Sequence, residues 1–356
     1  MHRTLALTAF LLCVVLAAAG NRVEYDYFKY HSLQEISKWK SDIATASKNI
    51  VSIIEYGKTY ENRTIDLLKI GVPGNKKKII WMDCGIHARE WISPAFCQYF
   101  VKTILDKYST DSKMQQMMKN MDFYVTPVLN VDGYTHTWLN SSTRLWRKNR
   151  TPGPPDCNCT GTDLNRNFNA NWGSTKLNTN FLYCHTYPGQ GPTSELEAQA
   201  VTQFVGNISK DVLAFLTIHS YGQMLLIRTD TGGHRAHQDE LVRKQNNHLT
   251  QSSGATIYRF ESADLIFRNE FSGSSGDWAR LQGIPYSYTF ELRDNGTHGF
   301  ELPANQIQPA VEEATAAPCT SSPTPTIKPS TGRQQRAPRP CGRLCWPPWS
   351  LNGLRD

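Results

Sequence analysis

The chain is expected to fold as a layered α/β protein around one buried sheet. Three observations predict this. Apolar runs of strand length recur along the body, stretches with helical period lie between them, and no linker divides the body in two. With 356 residues, 39% of them hydrophobic, the chain can fill a large core, which excludes wholesale disorder and a collagen-like fibre.

In chain order, residues 1–20 read as an export signal. His2 and Arg3 precede the apolar run 5–16, and the small residues Ala17-Ala18-Ala19-Gly20 follow where cleavage would occur. Twelve apolar residues are too few to span a bilayer comfortably, and no later segment is apolar for about 18 residues. The mature chain is therefore expected to be secreted, without a transmembrane segment. Ser32-Leu33-Gln34-Glu35 has the form of a capping box, and Leu33, Ile36, Trp39 and Ile43 then recur at helical spacing. Residues 78–84 read as a buried strand. Ser93-Pro94 opens the next helix, with Phe96, Phe100, Ile104 and Tyr108 on one face. Residues 123–129 form a strand that Pro127 must bend or interrupt. Ser194 and Glu197 suggest a second capping box, ahead of Val201, Phe204 and Val205. Residues 212–218 and 286–292 are two more apolar strands.

From Ala317 the composition changes. Eight prolines with abundant Ser, Thr and Arg cannot bury a core, so residues 317–356 are expected to be a disordered tail without a lipid-anchor signal. That tail holds six basic residues against one acidic, and Arg3 adds another, so the body carries about +1 of the net +7. A near-neutral body does not bind polyanions through its overall field, which argues against a nucleic-acid partner. Six Asn-x-Ser/Thr sequons, at Asn62, Asn140, Asn149, Asn158, Asn207 and Asn295, agree with a secretory route. Five cysteines lie in the body (Cys84, Cys97, Cys157, Cys159, Cys184). The odd number leaves at least one unpaired, and the apolar settings of Cys84 and Cys97 read as buried free thiols.

Three features carry chemistry. His87-Ala88-Arg89-Glu90 follows a strand, and a His and a carboxylate three apart on a helical turn can share a metal ion. His219-Ser220-Tyr221 ends another strand, where α/β proteins place ligands. Two imidazoles and one carboxylate leave the fourth zinc position open, as a catalytic site requires. Glu291, in Phe290-Glu291-Leu292-Arg293-Asp294, ends a third strand and could take a proton from water. Arg144-Leu145-Trp146-Arg147 and Asp163-Leu164-Asn165-Arg166-Asn167 offer arginine forks that suit carboxylates and developing oxyanions. Taken singly, each feature is more often something plainer: a surface ion pair, a structural histidine or a salt-bridged strand end.

Together they are specific. Gly85-Ile86-His87-Ala88-Arg89-Glu90-Trp91, Arg144-Leu145-Trp146-Arg147-Lys148, Gly161-Thr162-Asp163-Leu164-Asn165-Arg166-Asn167, His219-Ser220-Tyr221 and Thr289-Phe290-Glu291-Leu292-Arg293-Asp294 occur in the order found in zinc metallocarboxypeptidases of the pancreatic A/B type. The resemblance covers about residues 30–313, and the carboxypeptidase O branch is the most similar. It implies one domain with a mixed, eight-stranded central sheet, spanning 21–316, and one Zn2+ per chain. His87, Glu90 and His219 match zinc ligands, with Asp163 orienting the first histidine. Glu291 matches the general base and Arg147 the oxyanion-stabilising residue. Asn165 and Arg166 match the clamp on the substrate's terminal carboxylate, and Arg89 an outer contact. Cys159 and Cys184 match the family disulfide. The implied function is removal of single residues from peptide C-termini by a monomer.

Four departures qualify that expectation. The family's mobile tyrosine is replaced by Asn269, or by Phe267 if Arg268–Phe271 contains an insertion. At the floor of the specificity pocket stands Gly276, where the basic-specific branch is acidic, the A type apolar and the O branch arginine. The stretch from Arg228 to His248 diverges and brings in Asp230. The long C-terminal helix and the inhibitory propeptide are both expected to be shortened or missing. These departures leave a second reading open, a catalytically impaired, carboxypeptidase-like peptide-binding protein.

Overall fold

The computed structural model describes residues 23–153, 159–174, 184–227, 258–262 and 272–316. The expected signal and tail, Cys157, Arg228, Asp230, Phe267, Arg268 and Asn269 lie outside the described residues. Among the described residues, eight strands form one mixed sheet: β1 (Val51–Lys58), β2 (Thr64–Ile70), β3 (Lys78–Cys84), β4 (Met121–Thr126), β5 (Val212–Ser220), β6 (Met224–Ile227), β7 (Arg259–Ser262) and β8 (Tyr286–Leu292). Their spatial order is β1-β2-β4-β3-β5-β8-β6-β7. The centre, β4-β3-β5-β8, is parallel, whereas β1, β2 and β6 pair antiparallel with their neighbours β2, β4 and β8. The layered α/β expectation therefore holds.

Helices cover both faces, and β3 shows why. Its even residues Ile80, Met82 and Cys84 join the core beneath α1 (Leu33–Ala46), α2 (Ile92–Thr110) and α3 (Ser112–Asn120). Its odd residues Ile79 and Trp81 join the core beneath α5 (Leu196–Ile208) and α6 (Ser275–Leu281). A strand with period-2 side chains and two apolar neighbours must be apolar throughout, which is the signature of a buried parallel strand. Two further helices, α4 (Val131–Thr137) and α7 (Ile307–Ala316), complete the described layers.

Local chemistry explains most element ends. Ser32 and Glu35 form the expected capping box at α1. β4 stops at Thr126 because Pro127 cannot donate to the ladder. α2 starts at Ile92, ahead of the expected Ser93-Pro94 opening. The Ser93 hydroxyl instead accepts from Gly85 N–H (3.0 Å) and donates to Ile218 O (2.6 Å), pinning the helix to the ends of β3 and β5.

Three expectations are corrected. The second capping box is absent. Glu195 occupies the cap position without a side-chain bond to the backbone of the first turn, while Ser194 Oγ accepts from Asn167 and donates to the Glu195 carboxylate. Cys84 and Cys97 are joined in a disulfide, with Cα atoms 6.3 Å apart. One ends β3 and the other lies in the second turn of α2 packed on it, so an apolar setting conceals a bonded pair. Asn149 is fully buried and its Nδ2 donates to Thr151, Glu195 and Glu197, so this sequon offers no exposed amide. Asn62, Asn140, Asn207 and Asn295 are exposed.

Glu197 gives the fold a measurable pH dependence. It is 0% exposed, and burial pushes its carboxyl up to about 7, with Asn149 only partly opposing. Between its ordinary value and about 7 the folded state keeps a proton that the unfolded chain has released. Stability therefore falls as pH rises through that window, on the order of 3 kcal/mol for this group. Glu197→Gln is expected to remove that slope. In denaturant unfolding between pH 5 and pH 8, the variant should lose less stability than the unmodified protein. Parallel pH profiles would reject the assignment.

Candidate active site

The candidate site stands at the C-terminal ends of β3, β5 and β8, where a parallel sheet leaves backbone groups and side chains free to converge. Leaving β3, the chain turns at Gly85, whose φ of +66° favours glycine and where a Cβ would stand only 3.2 Å from Pro94 Cγ. The chain then delivers His87 and Glu90 on a turn, not on the helical turn expected, because the helix begins only at Ile92. β5 delivers His219. In parallel register its Cα partner on β8 is Glu291, so the two strands place the second histidine and the third carboxylate side by side.

Among the described residues, His87, Glu90 and His219 form the one cluster of three side chains able to share an ion. All three are buried, at 4%, 2% and 1% exposure. His87 Nδ1 lies 2.7 Å from Glu90 Oε1, and His219 Nδ1 lies 3.1 Å from Glu90 Oε2 and 3.2 Å from His87 Nδ1. Ligand atoms on a tetrahedron of about 2.0–2.1 Å radius sit roughly 3.3 Å apart, so this nitrogen and oxygen set fits zinc. Burial opposes ionisation of Glu90, but the two imidazoles hold its carboxyl well below the usual range. Behind His87, Asp163 Oδ1 stands 3.2 Å from Nε2, and Arg147 Nε donates to Asp163 Oδ2 at 2.9 Å. Burial works against the Asp163 charge, yet Arg147, Arg166 and His87 keep it ionised well below the ordinary range.

The cluster opens into a cavity of about 370 Å3 whose wall includes Arg147, Asn165, Arg166, Gly276 and Glu291. Glu291 is half-buried. Burial raises its carboxyl to about 7 against the pull of His219, a range suited to accepting a proton from water near neutrality. Asn165 Oδ1 accepts from Ser275 N–H at 2.9 Å, which turns the amide nitrogen the other way. Gly276 is buried, and a Cβ there would meet Ser287 Oγ at 3.4 Å and Thr289 Oγ1 at 3.5 Å, ordinary contacts. The cavity also takes in Tyr221, Met224, Leu226, Ser287, Thr289 and Phe300. Most of these escape a motif search because apolar and hydroxyl residues carry no spacing signal.

Arg89 is placed beside this cavity, not among the residues that line it. Its guanidinium lies 3.9 Å over the Phe300 ring, and burial together with Arg147 lowers its pKa to about 10. Arg144 stacks at 3.8 Å over Trp91 and donates to the carbonyls of Arg89 and Phe300, fixing that rim. Cys159 and Cys184 are joined, as the resemblance implies. The Cys184 carbonyl accepts from Lys148 Nζ at 2.7 Å, one residue from Arg147.

The zinc carboxypeptidase family pattern matches residues 36–317. Human carboxypeptidase O is 48% identical over 298 residues, which is 82% of this chain and 78% of that protein. Bovine carboxypeptidase B is 42% identical over 297 residues, covering 82% of this chain and 70% of its own. The crystal structure of thrombin activatable fibrinolysis inhibitor aligns with a TM-score of 0.73 at 36% identity, over 82% of this chain and 73% of that one. Carboxypeptidase A from Helicoverpa armigera aligns at 0.71 and 28% identity, over 88% and 78%. Since these matches run through the residues that build the sheet and the buried histidine cluster, the chain belongs to the zinc carboxypeptidase family and is a metallocarboxypeptidase.

Proposed function

We propose that the chain removes single residues from peptide C-termini, with His87, Glu90 and His219 holding the zinc and Glu291 as general base. The observation that carries this reading is one cavity uniting the His-Glu-His cluster, a half-buried carboxylate and two arginines. Zinc bound at the cluster would polarise the scissile carbonyl and make water more acidic. Arg166 and the Asn165 amide hold the substrate's terminal carboxylate, so only the last peptide bond reaches Glu291. Glu291 takes a proton from the attacking water and passes it to the departing amine. Arg147, held by Asp163, faces the oxygen that gains negative charge. Arg89 contacts the peptide further out. The N-terminal apolar run and the exposed sequons support action outside the cell. The test compares blocked dipeptides with free and amidated C-termini, before and after zinc removal by a chelator. Hydrolysis confined to the free acid and restored by zinc is expected; equal cleavage of the amide would reject the reading.

Side-chain preference is proposed to be relaxed, with the acidic preference suggested by the O branch weakened. A buried unpaired carboxylate costs several kcal/mol, so an acidic residue needs a cation at the pocket floor. Gly276 supplies none. Its backbone is not in the left-handed region, and a Cβ there makes only ordinary contacts with Ser287 and Thr289. Gly276→Arg is therefore expected to raise kcat/KM for C-terminal Glu at least tenfold, about 1.4 kcal/mol. An unmodified enzyme that already prefers Glu by that margin would overturn this account of the pocket.

A further inference from the structure

The two histidines of the cluster are supported differently. Both aim Nδ1 at the shared centre, so each turns Nε2 back into the protein. Behind His87 that atom meets a carboxylate, Asp163, directly. Behind His219 it meets a hydroxyl, Thr217 Oγ1, at 3.2 Å. The Thr217 hydroxyl in turn donates to Asp83 Oδ1 at 2.8 Å, and Asp83 Oδ2 accepts from Trp81 Nε1 at 2.8 Å. Trp81, Asp83 and Thr217 are each no more than 1% exposed.

We propose that Thr217 and Asp83 are positioning residues that fix the tautomer and basicity of His219, so that zinc retention depends on the hydroxyl of Thr217. The sheet builds this pair. Thr217 and His219 are two apart on β5 and share a face, and Asp83 is the register partner of Thr217 on β3. A hydroxyl has one proton. Given to Asp83, that proton leaves the oxygen to accept from His219 Nε2–H. His219 is thereby held with its proton on Nε2 and its Nδ1 lone pair directed at the cluster. The Asp83 carboxylate accepts two donors, and its charge, one hydroxyl removed, makes the imidazole a better electron donor. Asp163 does directly for His87 what Asp83 does for His219 through Thr217. Neither residue touches substrate, and no proton changes hands.

The inference rests on His219 being a zinc ligand, and the test separates the two. Zinc affinity is measured on the full chain by competition with a chromophoric chelator, alongside the visible spectrum of the Co2+-substituted protein. Thr217→Val keeps the shape and removes the hydroxyl. Zinc affinity is expected to fall about 10- to 100-fold, with altered Co2+ bands. Thr217→Ser restores the hydroxyl and should bind zinc nearly as tightly as the unmodified chain. Unchanged affinity in the valine variant, or equal weakness in valine and serine variants, overturns the proposal. Should the valine variant not fold, Asp83→Asn decides: affinity equal to the unmodified chain overturns it, and weakened affinity supports it. His219→Ala is the control. Zinc retained there would defeat the ligand assignment itself, whereas zinc lost there and kept in Thr217→Val would defeat this inference alone.

Discussion

Glu291→Gln protein is expected to keep its zinc and its substrate affinity while kcat falls by about 10²- to 10⁴-fold, the range that a positioned general base contributes. Glutamine preserves the volume at the end of β8 and cannot accept a proton from water. The register that sets Glu291 beside His219 is made by backbone bonds between β5 and β8, so the substitution leaves the neighbouring histidine in place. A neutral side chain also relieves the burial that pushes the carboxyl up to about 7, so the thermal midpoint should not drop. The measurements are kcat and KM on a blocked dipeptide with a free C-terminus, together with zinc content. A loss confined to kcat assigns Glu291 to the proton transfer. Near-normal turnover, or a rise in KM with kcat unchanged, would remove Glu291 from that role.

How much of this was legible depended on what each part of the molecule demands of the chain. The central strands β3 and β5 are buried along most of both faces, so they read as nearly continuous apolar runs, and β3 and the half-buried β8 match their expected limits. The β1–β2 hairpin gave no such signal. β1 has mixed exposure along an antiparallel edge, and its residues alternate too loosely to be told from a loop. β6 and β7, four residues each, are shorter than any reliable periodicity.

At the site, the converging residues stand out in the sequence because histidines, carboxylates and arginines are chemically distinctive types in a fixed order. Their supports do not, since Thr217, Asp83 and Ser93 act through contacts between strands that sequence spacing does not encode. The Cys84–Cys97 disulfide is hidden in the sequence for a related reason: an apolar setting says that a cysteine is shielded, and only the packing of α2 on β3 says what lies next to it.

Arg166→Ala is expected to lower kcat/KM for free-acid substrates by about 10²- to 10³-fold, mostly through KM, and to leave amidated ligands almost unaffected. Arg166 is 9% exposed and lines the cavity, and its own Nη1 donates to Asn165 O, which holds the guanidinium near the Asn165 amide. Truncating one member of a buried charge pair costs about 2–5 kcal/mol, because the partner charge is left desolvated and alone. Here that partner would be the substrate carboxylate, and an amide has no charge to strand. The ratio of free-acid to amide affinity therefore isolates the clamp from any general loosening of the site. Arg166 is also one of the charges that hold Asp163 ionised, but Arg147 and His87 remain to do so. Zinc content in Arg166→Ala should consequently stay at the unmodified level, which separates a binding defect from loss of the metal. Arg166→Lys should recover part of the affinity, since a point charge replaces a fork that can bind both carboxylate oxygens. If alanine weakens amide and acid ligands equally, the terminal carboxylate is held elsewhere, and the restriction to the last residue must come from the shape of the cavity.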